Sequence, residues 1–217
     1  MDFSSNDRAQ WKAELEAYES RLESLAKADL ISLDSFYRKE LPLLLRQRDP
    51  DPFLSKAELV RLMRWKLSRG KWRPRLLDFV SSLEEEEVQS ASKKGFAFLP
   101  DLSEAISSLT VMKGVGPATA SAILAAYAPD IAPFMSDEAM MAAMGSVKEY
   151  TLKQYMFFAE KLQQKAKELS GEGECFTATD VERALWSSAM GSKSLSSSRK
   201  VEPRAKSNKS TKRKRKH

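Results

Sequence analysis

From the N-terminus to Ala189, apolar side chains recur every three or four residues, and no stretch alternates apolar with polar side chains as a half-buried strand would. Trp11, Leu15, Tyr18, Leu22 and Leu25 fall on one face of a first helix. Ser55 and Glu58 have the spacing of a capping box ahead of Leu59, Leu62, Met63 and Leu67, and Gly70 is a natural stop. Pro74 fits the first turn of the next helix, where its missing N–H is not needed. Asp101 and Glu104 predict another start before Ile106, Leu109 and Met112. Thr151 and Gln154 open a long amphipathic helix from Leu152 through Tyr155, Ala159 and Leu162 to Leu169, closed by Gly171 and Gly173. Thr179 and Glu182 predict the start of a last helix carrying Leu185 and Trp186. The pattern therefore predicts an all-α fold, a compact multi-helix body over residues 1–189 without internal repeats.

Past Ala189 the periodicity stops. The remaining stretch, residues 190–217, holds almost no apolar residues and cannot bury enough surface to offset chain entropy, so a disordered basic tail is expected. Within it Lys212, Arg213, Lys214, Arg215 and Lys216 form a basic run of the kind read by nuclear import machinery or held by nucleic acid; a solubilising tail is the plainer alternative. A nuclear location is expected.

The division of charge sharpens the picture. Of the chain's net +6, the residues from Gly191 onward carry +10, which leaves −4 for those before. Residues 56–75 hold eight Lys or Arg against Glu58, so the rest of the body is strongly acidic around one basic segment. No apolar run approaches the roughly 20 residues needed to cross a bilayer. The acidic, amphipathic N-terminus is unlike a secretory signal, so a soluble intracellular protein with no membrane partner is expected. Cys175 is the only cysteine and His217 the only histidine, which excludes disulfides, Cys/His zinc sites and cysteine-ligated iron–sulfur clusters. No metal or cofactor is expected, and any acid–base chemistry within the fold falls to Asp, Glu, Lys or Tyr.

The most informative stretch is MKGVGPATASAIL, from Met112 to Leu124. Gly114 and Gly116 suit positive φ angles in a turn too tight for a Cβ. Val115 between them is placed to plug the space below, Pro117 fits a first helical turn, and Ala120 lets two helices lie close. Free N–H groups at the start of the second helix would suit a phosphate oxygen, with Lys113 as a second contact. Such a site reads backbone and not bases. The competing reading is an inter-helix corner with no ligand.

This order of residues from Leu109 to Leu124 resembles the helix-hairpin-helix motif. The helical body, with the hairpin just past its midpoint, is similar to the helix-hairpin-helix DNA glycosylase superfamily. The resemblance implies a hairpin that holds DNA through Lys113, Gly114, Val115, Gly116 and Ala118. It also implies an essential aspartate about twenty residues beyond the hairpin, at the start of the next helix, and Asp137 stands within about one residue of that register. An ionised carboxylate there would stabilise an oxocarbenium-like centre, or orient a water, beside a flipped nucleotide. Ser136 and Asp137 are equally what a helix start selects as N-cap. Two departures weigh against an enzyme: Ala118 stands where bifunctional members carry a nucleophilic lysine, and Asp137 is followed by Glu138, Ala139, Met140 and Met141 where the family keeps a histidine or similar polar partner.

The basic segment adds Arg69, Lys71, Trp72 and Arg73, in which cations hold phosphates while an interleaved aromatic stacks on bases. Trp65 reads as core by its helical neighbours; Trp72 reads equally as core or as a stacking platform. Together these features predict a nuclear, monomeric protein that binds nucleic acid, DNA before RNA, without sequence specificity. The alternatives are a monofunctional DNA glycosylase using Asp137 and a non-catalytic protein-interaction scaffold.

Overall fold

The computed structural model describes residues 1–145, 149–171, 173 and 175–198, with side chains through residue 193. Among these residues there are twelve α-helices and no β-strand: α1 (Arg8–Glu16), α2 (Tyr18–Glu23), α3 (Leu30–Ser35), α4 (Leu41–Arg46), α5 (Lys56–Arg69), α6 (Pro74–Ser81), α7 (Glu85–Ala97), α8 (Leu102–Leu109), α9 (Pro117–Tyr127), α10 (Asp137–Met144), α11 (Leu152–Leu169) and α12 (Ala178–Ser198). None of them is long and apolar enough to cross a membrane. A π-turn over Phe36–Glu40 joins α3 to α4, with the Leu41 N–H on the Phe36 carbonyl. The widening precedes Pro42, which has no N–H to continue an α-helical ladder.

Most of the predicted ends hold. Ser55 and Glu58 form a reciprocal capping box, and the Glu58 carboxylate also takes both arms of Arg48 at 2.7 and 2.9 Å. Gly70 ends α5, Pro74 opens α6, and Asp101 and Thr151 cap α8 and α11. The inward faces also hold, with Leu59, Leu62, Met63 and Leu67 all buried.

Three expectations are corrected. The single N-terminal helix divides at Ala17, where ψ opens to −10°; Tyr18 and Leu22 turn into the core, and the Tyr18 ring lies 5.1 Å from that of Trp186. The start of α12 is set by Thr177 and Asp180, whose side chains accept each other's backbone N–H at 2.9 and 3.0 Å. Thr179 and Glu182 therefore do not cap it, and Glu182 is buried. Helix α12 also runs past Ala189, to Ser198; Met190 is still buried, and the Arg21 guanidinium lies against Gly191 where a Cβ would stand. The basic run Lys212 to Lys216 lies outside the described residues.

One core joins the whole body. Helix α12 packs on α1, α2, α10 and α11; α5 packs on α3, α6 and α9; α7 pairs with α8. Asp34, buried between these groups, accepts from the Tyr18 hydroxyl at 2.7 Å and the Trp65 indole at 2.9 Å. A buried acceptor so satisfied fixes the rings that donate to it.

Candidate nucleic-acid interface

The hairpin forms between α8 and α9. Gly114 has φ +88°, and a Cβ there would stand 2.7 Å from Cβ of Phe79, so only glycine fits. Gly116 differs from expectation. Its φ of −96° and ψ of −179° are ordinary extended backbone, and a Cβ would meet nothing within 4 Å. Its lack of a side chain leaves open space in front of the α9 N-terminus. Val115 is buried as predicted, and its N–H is already bonded to the Met112 carbonyl at 3.0 Å, so it is not an available donor. Thr119 and Ala120 both return to the Gly116 carbonyl, while α9 has no side-chain cap. The N–H groups of Gly114, Gly116 and Ala118 thus find no acceptor among the described residues. Alternate amides at a helix start are the donors that an anion takes up.

Gly114, Gly116 and Ala118 line a cleft of about 570 Å³. Lys66, Lys71 and Arg73, from the end of α5 and the turn after it, line it too, as do Asp137 and Glu138 at the start of α10 and Tyr150. Sequence-distant candidates therefore meet in one place: the hairpin, the basic turn and the aspartate. Trp72 is 57 % exposed beside this cleft, not core, and Lys113 lies outside it with its ammonium 4.9 Å from the Phe79 ring centroid.

Arg69 does not belong to the surface. It is buried, with its guanidinium 4.4 Å over the Trp186 ring and both arms on Glu182 at 3.0 and 3.3 Å. The basic segment enters the core at this residue because the last turn of α5 faces α12, and an interior arginine requires an acid partner. Glu182 also accepts from the Ser136 hydroxyl at 2.5 Å, and Ser136 in turn caps α10. The chain Arg69–Glu182–Ser136 fixes where α10 begins.

Because Ser136 is the cap, Asp137 is released from that duty. Its carboxylate accepts from the Tyr150 hydroxyl at 2.5 Å. Burial first, and then that hydrogen bond and the negative charge, raise Tyr150 to about 12, so it stays a donor at neutral pH. The Arg73 guanidinium lies 5.6 Å from the Tyr150 ring centroid. Glu138 is occupied by Lys193 at 3.0 Å.

Two cleft residues escaped the sequence. Tyr150 stands in a connection without periodicity, and nothing local marks it. Lys66 reads as one charge on a solvated helix face. In the fold its ammonium is desolvated, which lowers it to about 8; Arg73 adds to the fall and Asp137 opposes it. A scan against protein-family models and searches of curated proteins and of solved structures found no match to this chain.

Proposed function

We propose that this protein binds DNA through its backbone, without sequence specificity, with the α8–α9 hairpin and the Lys71–Arg73 turn gripping phosphates on either side of the cleft. The observation that carries the reading is the set of three acceptorless amides, at Gly114, Gly116 and Ala118, on a cleft also lined by Lys71 and Arg73. Trp72, exposed beside these cations, supplies a ring for an unstacked base.

The test compares full-length protein with its Gly116→Leu variant on a fluorescent duplex across a salt series. A leucine fills the open space before the amides without a φ penalty, and the tail is common to both proteins. The variant should stay folded by circular dichroism and bind about tenfold more weakly at each salt concentration, a change of roughly 1.4 kcal/mol. Equal binding by the two proteins would reduce the hairpin to a corner.

A second reading is favoured by Asp137. Its carboxylate is free of the capping role, faces the cleft beside the hairpin, and is held by Tyr150. These are the requirements for stabilising a cationic sugar during base excision. Base release from a panel of damaged duplexes, lost in Asp137→Asn with binding intact, would establish the activity; a panel without release would leave a binding protein only.

A further inference from the structure

A second cavity, of about 240 Å³, is lined by none of the hairpin residues and lies among the π-turn, α4, the end of α9 and the first turns of α12. Four arginines line it: Arg38, Arg46, Arg69 and Arg183. Three of their guanidiniums lie close to one buried ring, at 4.7 Å (Arg38), 5.7 Å (Arg69) and 5.8 Å (Arg183) from the Tyr18 centroid. Like charges gathered at the edge of an interior require acids to match.

The acids are three, and all are shared. Glu182 takes both arms of Arg69 and also serves Ser136. Arg38 reaches Asp34 at 3.5 Å, on a carboxylate that already holds Tyr18 and Trp65. Arg183 reaches Asp180 at 3.2 Å, on a carboxylate that already takes the N–H and the hydroxyl of Thr177. Neither Arg38 nor Arg183 donates a hydrogen bond among the described residues, and the Nε of each is buried without an acceptor, as is the Thr179 hydroxyl. Arg46 is exposed and makes no ion pair among the described residues. Burial, and after it the charge of Arg38, lower the Arg183 guanidinium, although Asp180 opposes the fall. The cavity is short of negative charge.

Much of the remaining lining is flat or apolar. Tyr37, Trp65 and Phe134 contribute rings, and Pro42, Ala125 and Ala126 contribute small apolar surface. The cavity is several times the roughly 30 Å³ that a water molecule takes in the liquid, so a bare ion would leave those rings uncovered. A ligand with a charged end and an apolar body uses both surfaces.

We propose that this cavity binds a small aromatic oxyanion, a carboxylate or a phosphate ester, with its charged oxygens on Arg38, Arg46 and Arg183 and its ring against Tyr37 and Phe134. Guanidinium forks match both kinds of oxyanion. The inference stands apart from the DNA-binding reading, because neither the hairpin nor the Lys71–Arg73 turn lines this cavity.

The experiment titrates full-length protein with benzoate, phenyl phosphate, inorganic phosphate and benzyl alcohol by isothermal calorimetry at constant ionic strength. The expected result is one saturable site for benzoate or phenyl phosphate, with inorganic phosphate and benzyl alcohol about tenfold or more weaker, since each lacks half of the ligand. The tighter of the two aromatic anions tells carboxylate from phosphate ester. Arg38→Gln and Arg183→Gln should each weaken that site about tenfold, and the basic tail is common to every protein compared. No saturable binding of either aromatic anion, inorganic phosphate bound as tightly, or a site unchanged in both variants overturns the proposal. Hydrogen exchange of the unaltered protein keeps the test independent of how the variants fold. The bound anion should slow exchange within residues 37–46 and 177–183; protection only elsewhere, or none, overturns the assignment.

Discussion

Helices α9 and α10 both direct their N-termini to one cleft, and they are finished in opposite ways. At α9 the chain enters through Gly116 and Pro117, no side chain caps the helix, and the amides of Gly116 and Ala118 lack an acceptor among the described residues. At α10 the Ser136 hydroxyl takes the Ala139 N–H, and the next residue, Asp137, presents a carboxylate. An open helix end offers partial positive charge to whatever arrives, while a capped end needs nothing from outside and can carry a fixed anion. One end thus leaves amides open to the cleft, and the other presents a carboxylate to it.

The capped end of α10 rests on the buried Arg69–Glu182 pair, through Ser136. Arg69→Met would leave Glu182 buried without its partner and should cost about 3–5 kcal/mol in denaturant unfolding. The double change Arg69→Met with Glu182→Met should recover most of that loss; if it does not, the pair does more than neutralise itself. Next in size is Lys66→Met, which should raise stability by up to about 3 kcal/mol near pH 7. The folded-state value is lowered from 10.5 to about 8, so the unfolded chain holds the proton more tightly. The gain is complete below about 8 and fades as pH rises to 10.5, since the wild-type lysine is then already neutral when folded. Denaturation of both proteins at several pH values checks the sign, and a gain that grows with pH would refute the assignment.

At the open end, Gly114→Ala should cost about 1–3 kcal/mol, because φ is +88° and Cβ would meet Phe79. Gly116→Ala should stay within about 0.5 kcal/mol of wild type. Equal losses would mean that the two glycines share one structural role. At the capped end, Ser136→Ala should cost about 1 kcal/mol or somewhat more, and Asp137→Asn less than about 0.5 kcal/mol. The reverse order would make Asp137 a structural cap and remove the contrast between the helices.

Helix identities and most of their ends were legible because capping and periodicity act within a few residues. Ser55 with Glu58, Gly70, Pro74 and Asp101 all do what their local chemistry dictates. The end of α12 was not legible, since Met190 and Gly191 are set by contacts with other helices and not by their neighbours in the chain. Two of the hairpin's residues show only part of their role in the sequence. Val115 spends its amide inside the turn, and Gly116 is glycine for the space it leaves, not for its φ.

The all-α class, the hairpin, the concentration of basic residues after Ser55 and the position of Asp137 at a helix start each follow from residues close together in the chain. What those charges do depends on neighbours that the fold brings from elsewhere. Lys66, Arg69 and Arg73 are spaced within two turns of one another, yet one is a desolvated amine on a cleft, one an interior ion pair with Glu182, and one an exposed guanidinium beside Tyr150. A cation's role depends on the solvent and the acids around it, and those are brought by α10, α12 and the hairpin from far along the chain.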